Sequence, residues 1–369
     1  MSRVIPFIDL VAAHRPLKKR LLAAVADVID SGAFILGEPV AALEQQFAAR
    51  IGRRHAIGVN SGTDALLLCL LALGTGPGDE VVTAANSFIA TAAVIAHCGA
   101  LPRFCDVDAD ENMSPDNLLS RLGPRTRVVL PVHLRGRPCN MVRIMDICAP
   151  EGIHVVEDCS QSFGAHFNNV MTGAFGCAGC FSLHPIKVLG ALGDAGMIVT
   201  DDDALDDELR RLRNHGLLDR DTSGRWGYNS RLDTVQAAML LVKLAAADDW
   251  IAQRRRHARQ YIEGLAGLPV TLPVERTGEF HVYSMFTLFT PERDDLKTYL
   301  AEHGIETKIH YPVPIHRQPA ARSLAPAESL ETTERQAAQM LSLPVYPELT
   351  PADVAFIIAR MRDFFRAGA

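Results

Sequence analysis

Nowhere in its 369 residues does the sequence hold the uninterrupted apolar run of about 18 residues that a membrane-spanning helix needs. The first twenty residues, MSRVIPFIDLVAAHRPLKKR, show no signal-type apolar stretch ahead of their charges. A cytoplasmic protein without a membrane partner is expected. An excess of positive charge is missing too. Lys and Arg number 37 against 43 Asp and Glu, a net charge of −6. That balance leaves no electrostatic footprint for nucleic acid, although a local anion site stays open. Paired cysteines are scarce. Of eight cysteines only Cys177 and Cys180 form a C-x-x-C, and with no second ligand pair no metal site is expected. Buried, reduced thiols are the expectation. Fixed-period repeats and low-complexity segments are absent as well.

What remains is an ordinary globular composition, 48% hydrophobic and 22% charged, and a length that suggests about two domains. From about residue 55 to 200, strand-like runs alternate with helical patterns. HAIGV (55–59), DEVVTA (79–84), LPRFCDV (101–107), RVVLPVH (127–133), IHVVEDC (153–159), CAGCFSL and GMIVT (196–200) read as strands. TDALLLCLLALG (63–74) and SFIATAAVIAHCG (87–99) read as helices. Such alternation predicts an α/β fold with a mostly parallel sheet sandwiched by helices. Ligands then bind beyond the carboxyl ends of the strands. That rule points to NSGTD, NSF, PVH and EDCSQS. The first 50 residues are mainly helical. From about 250 the texture changes to a long basic helix pattern, the strand-like FHVYSMFTLFT and two further helices. The division expected is 1–250 for a large ligand-binding domain and 251–369 for a smaller α+β domain.

Three short stretches carry chemistry. In NSGTDA (60–65) a strand runs into Ser61, Gly62 and Thr63 and a helix follows. Glycine allows close backbone approach, and the helix N-terminus attracts an anion such as phosphate; an ordinary Ser/Thr helix cap has the same appearance. In EDCSQSFGA (157–165), Glu157 and Asp158 end a predicted buried strand, where a carboxylate can pair with a cationic nitrogen; an aspartate there can equally cap a helix. In FSLHPIKVLGALGDAG (181–196), Lys187 stands among apolar and small residues, with Asp194 the next acidic residue. A lysine ammonium is costly to bury, so Lys187 either reaches solvent along its stem or presents a neutral amine, the form that attacks an aldehyde. Phosphate site, aspartate and lysine together meet the requirements of pyridoxal 5'-phosphate.

At this point the sequence resembles the DegT/DnrJ/EryC1/StrS aminotransferases, pyridoxal-phosphate enzymes of fold type I acting largely on nucleotide-linked keto sugars. The matching segments are SGAFILGEPVAALEQQFA, GVNSGTDALLL, GPGDEVVTAANSFIATAAVI, PVHLRGRP, VVEDCSQSFGA, FSLHPIKVLGALGDAG, GYNSRLDTVQAA and IHYPVPIHRQP, from about residue 31 to 319. The resemblance implies that Lys187 is the internal-aldimine lysine and proton carrier, that Asp158 pairs with the pyridinium nitrogen, and that Gln161 lies by the cofactor's phenolic oxygen. It implies that Gly62, Thr63 and Ser182 bind the phosphate. Phe88 would stack on the pyridine face, with a core phenylalanine as the competing reading. Asn229 would reach the phosphate of a neighbouring subunit, which requires at least a homodimer. Arg231, His310, Tyr311 and His316 fall in segments that resemble substrate-proximal regions.

The sequence departs from the family's usual form in EDCSQS for EDAAQA, in Val188 after the lysine, and in Arg135 where an aromatic is usual. Arg135 is expected either to contact an anionic substrate group or to lie in solvent. The activity implied is a ping-pong transamination from an amino donor, L-glutamate, to a nucleotide-linked keto sugar through pyridoxamine phosphate, in bacterial deoxysugar or cell-surface glycan synthesis. The alternatives are a cyclitol-ketone acceptor, a sugar dehydratase, whose relatives carry histidine at the lysine position, and a non-catalytic sensor on the same fold.

Overall fold

The computed structural model describes residues 4–322 and 328–367. Its main sheet has seven strands: β1 (His55–Val59), β2 (Glu80–Ala84), β3 (Leu101–Cys105), β4 (Thr126–Leu130), β5 (His154–Asp158), β6 (Ala178–Ser182) and β7 (Gly196–Thr200). Their order across the sheet is β1-β7-β6-β5-β4-β2-β3. The contacts β2–β3, β2–β4, β4–β5 and β5–β6 are parallel, whereas β7 runs antiparallel to both β1 and β6. The mostly parallel α/β sheet read from the alternation of strands and helices is therefore present.

Both faces of this sheet are covered, which is why its strands read as near-continuous apolar runs. The period of two decides which face each side chain meets. Val128 and Leu130 pack with Leu66, Leu68 and Leu70 of the helix Gly62–Ala72, while Val129 and Val155 pack against Ile144 and Met141 on the other face. A third cluster places Val40, Leu43 and Phe47 of the helix Glu38–Ile51 against Phe181 and Met197. That helix starts after Gly37 with a proline in its first turn and stops at Gly52, whose φ of 83° suits glycine.

A second core forms around β8 (Phe286–Phe289) and β9 (Met340–Leu343), an antiparallel pair. It gathers Leu296 and Leu300 from the helix Arg293–Glu302 and Ile357 and Met361 from the helix Pro351–Ala367. The helix Ala247–Leu265 belongs to both cores: Ala247 and Ile251 pack with the sheet, Ala258, Tyr261 and Leu265 with the second core. The expected division at residue 250 falls inside this helix.

Two strands are shorter than expected, for identifiable reasons. RVVLPVH stops pairing as a strand at Leu130, because Pro131 has no N–H to donate. Val132 makes an isolated bridge to Asp158 and the chain then turns at Leu134–Gly136. FHVYSMFTLFT is broken at Tyr283, whose φ is 47°. Glu279–Phe280 pairs with His166–Phe167 in a small ribbon, and β8 begins only at Phe286. All eight cysteines are free, seven of them buried. No helix among the described residues is long and apolar enough to cross a membrane.

Candidate active site

The carboxyl ends of β1, β5 and β6, and the turn after β2, open into one cleft of about 360 Å³. Asp158, the last residue of β5, is 3% exposed. Its Oδ2 accepts a hydrogen bond from the Thr91 hydroxyl at 2.9 Å, and its Oδ1 accepts from the Ser160 N–H at 3.0 Å. Since Thr91 donates to the carboxylate, its oxygen takes the proton of Ser87, 2.9 Å away. These bonds orient the carboxylate before any ligand arrives.

Lys187 follows β6 on a turn closed by its own N–H to the His184 carbonyl at 2.9 Å. Its side chain lines the same cleft. Burial lowers its pKa from the ordinary 10.5, and the Asp158 charge opposes the shift without cancelling it. Among the described residues no ion pair holds the ammonium. The arrangement enlarges the share of neutral, nucleophilic amine.

Beside them stands the start of the helix Gly62–Ala72. The Ser61 hydroxyl caps it by accepting from the Asp64 N–H at 3.0 Å. The cap reading and the anion reading hold together, because the N–H groups of Gly62 and Thr63, in the first turn, have no helical carbonyl to reach. Gly62 touches the end of β6: a Cβ there would lie 2.6 Å from the Ser182 Cβ. Only glycine permits that approach, which brings the Ser182 hydroxyl and the helix end to one spot.

The opposite wall is aromatic. Phe88 is 53% exposed and its ring lies 5.7 Å from that of Tyr311. The core reading for Phe88 is thereby excluded. His310 adjoins them; burial, reinforced by the charges of Arg135, Lys187 and Lys308, pushes its pKa down to about 4, so it is neutral near pH 7. Gln161 is buried, accepts the Arg135 backbone N–H at 2.8 Å through Oε1, and also lines the cleft.

A family model described as the DegT/DnrJ/EryC1/StrS aminotransferase family matches residues 16–362. The chain belongs to that family. It is a pyridoxal-phosphate-dependent aminotransferase. Among similar proteins, a UDP-N-acetyl-3-dehydro-alpha-D-glucosamine 3-aminotransferase of Acidithiobacillus ferrooxidans is 42% identical, with 98% of each chain covered. A pleiotropic regulatory protein of Geobacillus stearothermophilus is 40% identical, over 98% of this chain and 99% of its own. The crystal structure of DesV from S. venezuelae, in complex with a ketimine intermediate, superposes with a TM-score of 0.96, 41% identity and 99% coverage of both chains.

The aminotransferase cleft fits its cofactor by the donors present. A helix N-terminus with a neighbouring hydroxyl suits a phosphate, an oriented carboxylate suits a ring N–H, and an amine out of ion-pair reach suits an aldehyde. Three expected site residues lie elsewhere in the chain. Asn229 is exposed, on a segment bridged to Asn214. Arg231 donates to Asn214 Oδ1 at 3.1 Å. His316 is 7% exposed and shares a hydrogen bond with Glu334 at 3.0 Å. None of the three lines the cleft.

Arg135 corrects both expectations held for it. It is neither solvated nor free for a substrate: it is 2% exposed and paired with Glu111 at 2.9 Å. Thr91 was missed; it stands in the first turn of the helix Ile89–His97, with Ser87 on the turn that precedes it. Glu157, read beside Asp158 at the strand end, points to the face opposite Asp158. It accepts N–H bonds from Gly173, Phe175 and Gly176 at 2.8 Å each and faces His133 Nε2 at 2.9 Å. His133 Nδ1 takes the Cys139 N–H at 3.0 Å, so Nε2 carries the proton. With Cys159 these side chains bring three potential ligand atoms within 4.8 Å of one another, but the hydrogen bonds already occupy His133 and Glu157.

Proposed function

We propose that this aminotransferase moves an amino group from an amino-acid donor, L-glutamate, to a nucleotide-linked keto sugar. The observation that carries the reading is the meeting of Lys187, Asp158 and the Ser61–Thr63 helix end in one cleft. Bound there, pyridoxal phosphate supplies an electron sink that makes the Cα proton of an attached amine acidic. The chain supplies the rest. The N–H groups of Gly62 and Thr63 and the Ser182 hydroxyl hold the phosphate. Asp158, kept in place by Thr91, holds a proton on the ring nitrogen. Gln161 would face the phenolic oxygen, and the exposed ring of Phe88 would cover the pyridine face. Lys187 Nζ would hold the aldehyde end and would move the proton between donor and acceptor positions. Its pKa, lowered by burial, suits both tasks.

Acceptor identity rests on relatives that act on dTDP- and UDP-linked sugars. His310 and Tyr311 are the cleft residues assigned to the acceptor side; Arg231 and His316 have no such position within one protomer. A homodimer goes with this reading. Asn229 belongs to an exposed segment that carries Trp226, 95% exposed, and Tyr228, 42% exposed. Phe34, 53% exposed, lies on the segment bonded to Thr234, close by. Exposed aromatics in this concentration suit a subunit contact, through which Asn229 would serve a partner's cleft.

The test is incubation of holoenzyme with L-glutamate and a panel of UDP- and dTDP-linked keto sugars and cyclitol ketones, read by mass spectrometry. An aminated nucleotide sugar supports the proposal. Amination of cyclitols alone replaces the acceptor. The regulatory protein among the relatives favours a sensor as second reading; cofactor binding with no 2-oxoglutarate released from L-glutamate would support it.

A further inference from the structure

We infer that the buried Arg135–Glu111 pair is a positioning device that holds the His310–Tyr311 segment across the cleft and so sets the acceptor side. The inference deepens the proposed function and rests on it for the identity of the acceptor.

Arg135 and Glu111 are 2% and 8% exposed. Arg135 Nε and Nη2 both donate to Glu111 Oε1, at 3.0 and 2.9 Å. Nη2 also donates to the carbonyl of His310, 175 residues along the chain. The planar guanidinium is the group able to make these bonds at once; a lysine ammonium has no such fork. The backbone is committed as well. Arg135 has φ of 61°, and its N–H donates to Gln161 Oε1. The Glu111 carbonyl accepts from Asn86 Nδ2 at 2.7 Å, and Asn86 leads directly into Ser87 and Phe88. One continuous chain of bonds therefore runs from the Phe88 turn through Glu111 and Arg135 to His310.

Neither member of the pair lines the cleft, whereas Phe88, Gln161, His310 and Tyr311 all do. The side chains of the pair reach the cleft through the His310–Tyr311 segment, whose His310 carbonyl they hold; the bonds to Gln161 and Asn86 run through backbone groups. Behind it lies a second cavity of about 300 Å³, walled in part by Glu111 and Arg135 themselves. Without the pair, the His310–Tyr311 segment has room to relax away from Phe88. An amino acid is handled next to Lys187 and Asp158. A nucleotide sugar is larger and must also pass the rim formed by Phe88 and Tyr311, so its binding is the step the pair controls.

Removing one partner leaves a buried charge unpaired and destabilises the fold. Arg135→Met is therefore compared with the double variant Arg135→Met/Glu111→Leu, which removes both charges. Deuterium uptake of the 308–314 backbone is measured in the holoenzymes, with β5 as internal reference. Single-turnover rates are measured with L-glutamate and, in the reverse direction, with UDP- and dTDP-linked 3-amino sugars. Expected for the double variant is uptake at 308–314 faster by about tenfold or more with β5 unchanged. The half-saturating amino-sugar concentration rises about tenfold with the limiting single-turnover rate within about threefold, and the L-glutamate half-reaction stays within about twofold. Wild-type uptake at 308–314, or equal losses in both half-reactions, overturns the inference. Failure of wild-type enzyme to convert any amino sugar counts against the proposed function, and the exchange measurement still decides the role of the pair.

Discussion

Gly62→Ala is the smallest change that separates a phosphate-binding helix end from a merely capped one. The added Cβ would sit 2.6 Å from the Ser182 Cβ and 2.9 Å from its Cα. Reaching the 3.4 Å of ordinary contact requires the helix end and β6 to part by about 0.8 Å. Ser182 cannot yield easily, because it is the last residue of a strand paired to Gly196 of β7. The helix end must therefore move, and the Gly62 and Thr63 N–H groups move with it. A hydrogen bond of about 2.9 Å stretched by that distance is no longer one. Bonds to a charged group are worth about 1.5–3 kcal/mol each. Losing two at the lower figure is about 3 kcal/mol, a weakening of cofactor affinity by roughly a hundredfold. Against this, alanine gains up to about 1 kcal/mol over glycine in a helix. Gly76→Ala is the control, since its Cβ would meet nothing closer than 3.8 Å. The assay is quenching of intrinsic fluorescence on titrating apoenzyme with pyridoxal phosphate, with urea unfolding run in parallel. If Gly62→Ala binds the cofactor as tightly as the control does, the helix end does not hold the phosphate.

Thr91→Val keeps the shape of the side chain and removes the donor to Asp158. The donor half-reaction should slow about tenfold to a hundredfold, the kinetic equivalent of about 1.5–3 kcal/mol, in stopped-flow traces; an unchanged rate would remove Thr91 from the mechanism. Glu157→Gln should cost about 3–5 kcal/mol of stability in urea at pH 7, because it breaks a buried, hydrogen-bonded pair. Burial would raise the Glu157 pKa, but the His133 contact and the N–H groups of Gly176 and Gly173 outweigh it and hold it below 4.5. That stabilisation is present above pH 4.5 and fades as pH falls through the depressed value, so the acid limb of the stability curve should be shallower in the variant. Lys243 gives the same sign at alkaline pH. Burial takes its pKa from 10.5 to about 8, so the unfolded chain binds the extra proton between those values. Wild-type stability should rise with pH from about 8 to 10.5, and Lys243→Met should abolish that rise; a rise of equal slope in the variant refutes the assignment.

The chemistry was readable wherever a reacting group follows its strand directly. Asp158 ends β5, Lys187 lies five residues beyond the end of β6, and Gly62 and Thr63 stand three and four residues beyond β1. Local order of strand, turn and helix is enough to place such residues at one sheet edge. Groups that act through distant partners were not readable. The Thr91–Asp158 bond joins residues 67 apart, and the Arg135–His310 bond residues 175 apart, distances at which only the folded packing decides who meets whom. Arg135 is the sharpest case, since charge alone suggested solvent or a substrate anion, and the anion it meets is the chain's own Glu111. Strand direction was equally hidden. Nothing in GMIVT distinguishes an antiparallel β7 from a parallel one, because both faces are buried either way. Asn229, Arg231 and His316 matched motifs whose positions in the sequence do not reveal that the fold keeps them out of the cleft.

The most direct test of the central claim is a single-turnover absorbance experiment on holoenzyme mixed with L-glutamate, in wild type and in Lys187→Ala reconstituted with the same cofactor. The account predicts that wild type converts its bound cofactor to the pyridoxamine form with one equivalent of 2-oxoglutarate released. The variant should fall short of that rate by at least about a thousandfold. Wild-type enzyme that leaves its cofactor unchanged, or a Lys187→Ala variant that turns over as fast, would contradict the assignment of Lys187 as the reacting amine.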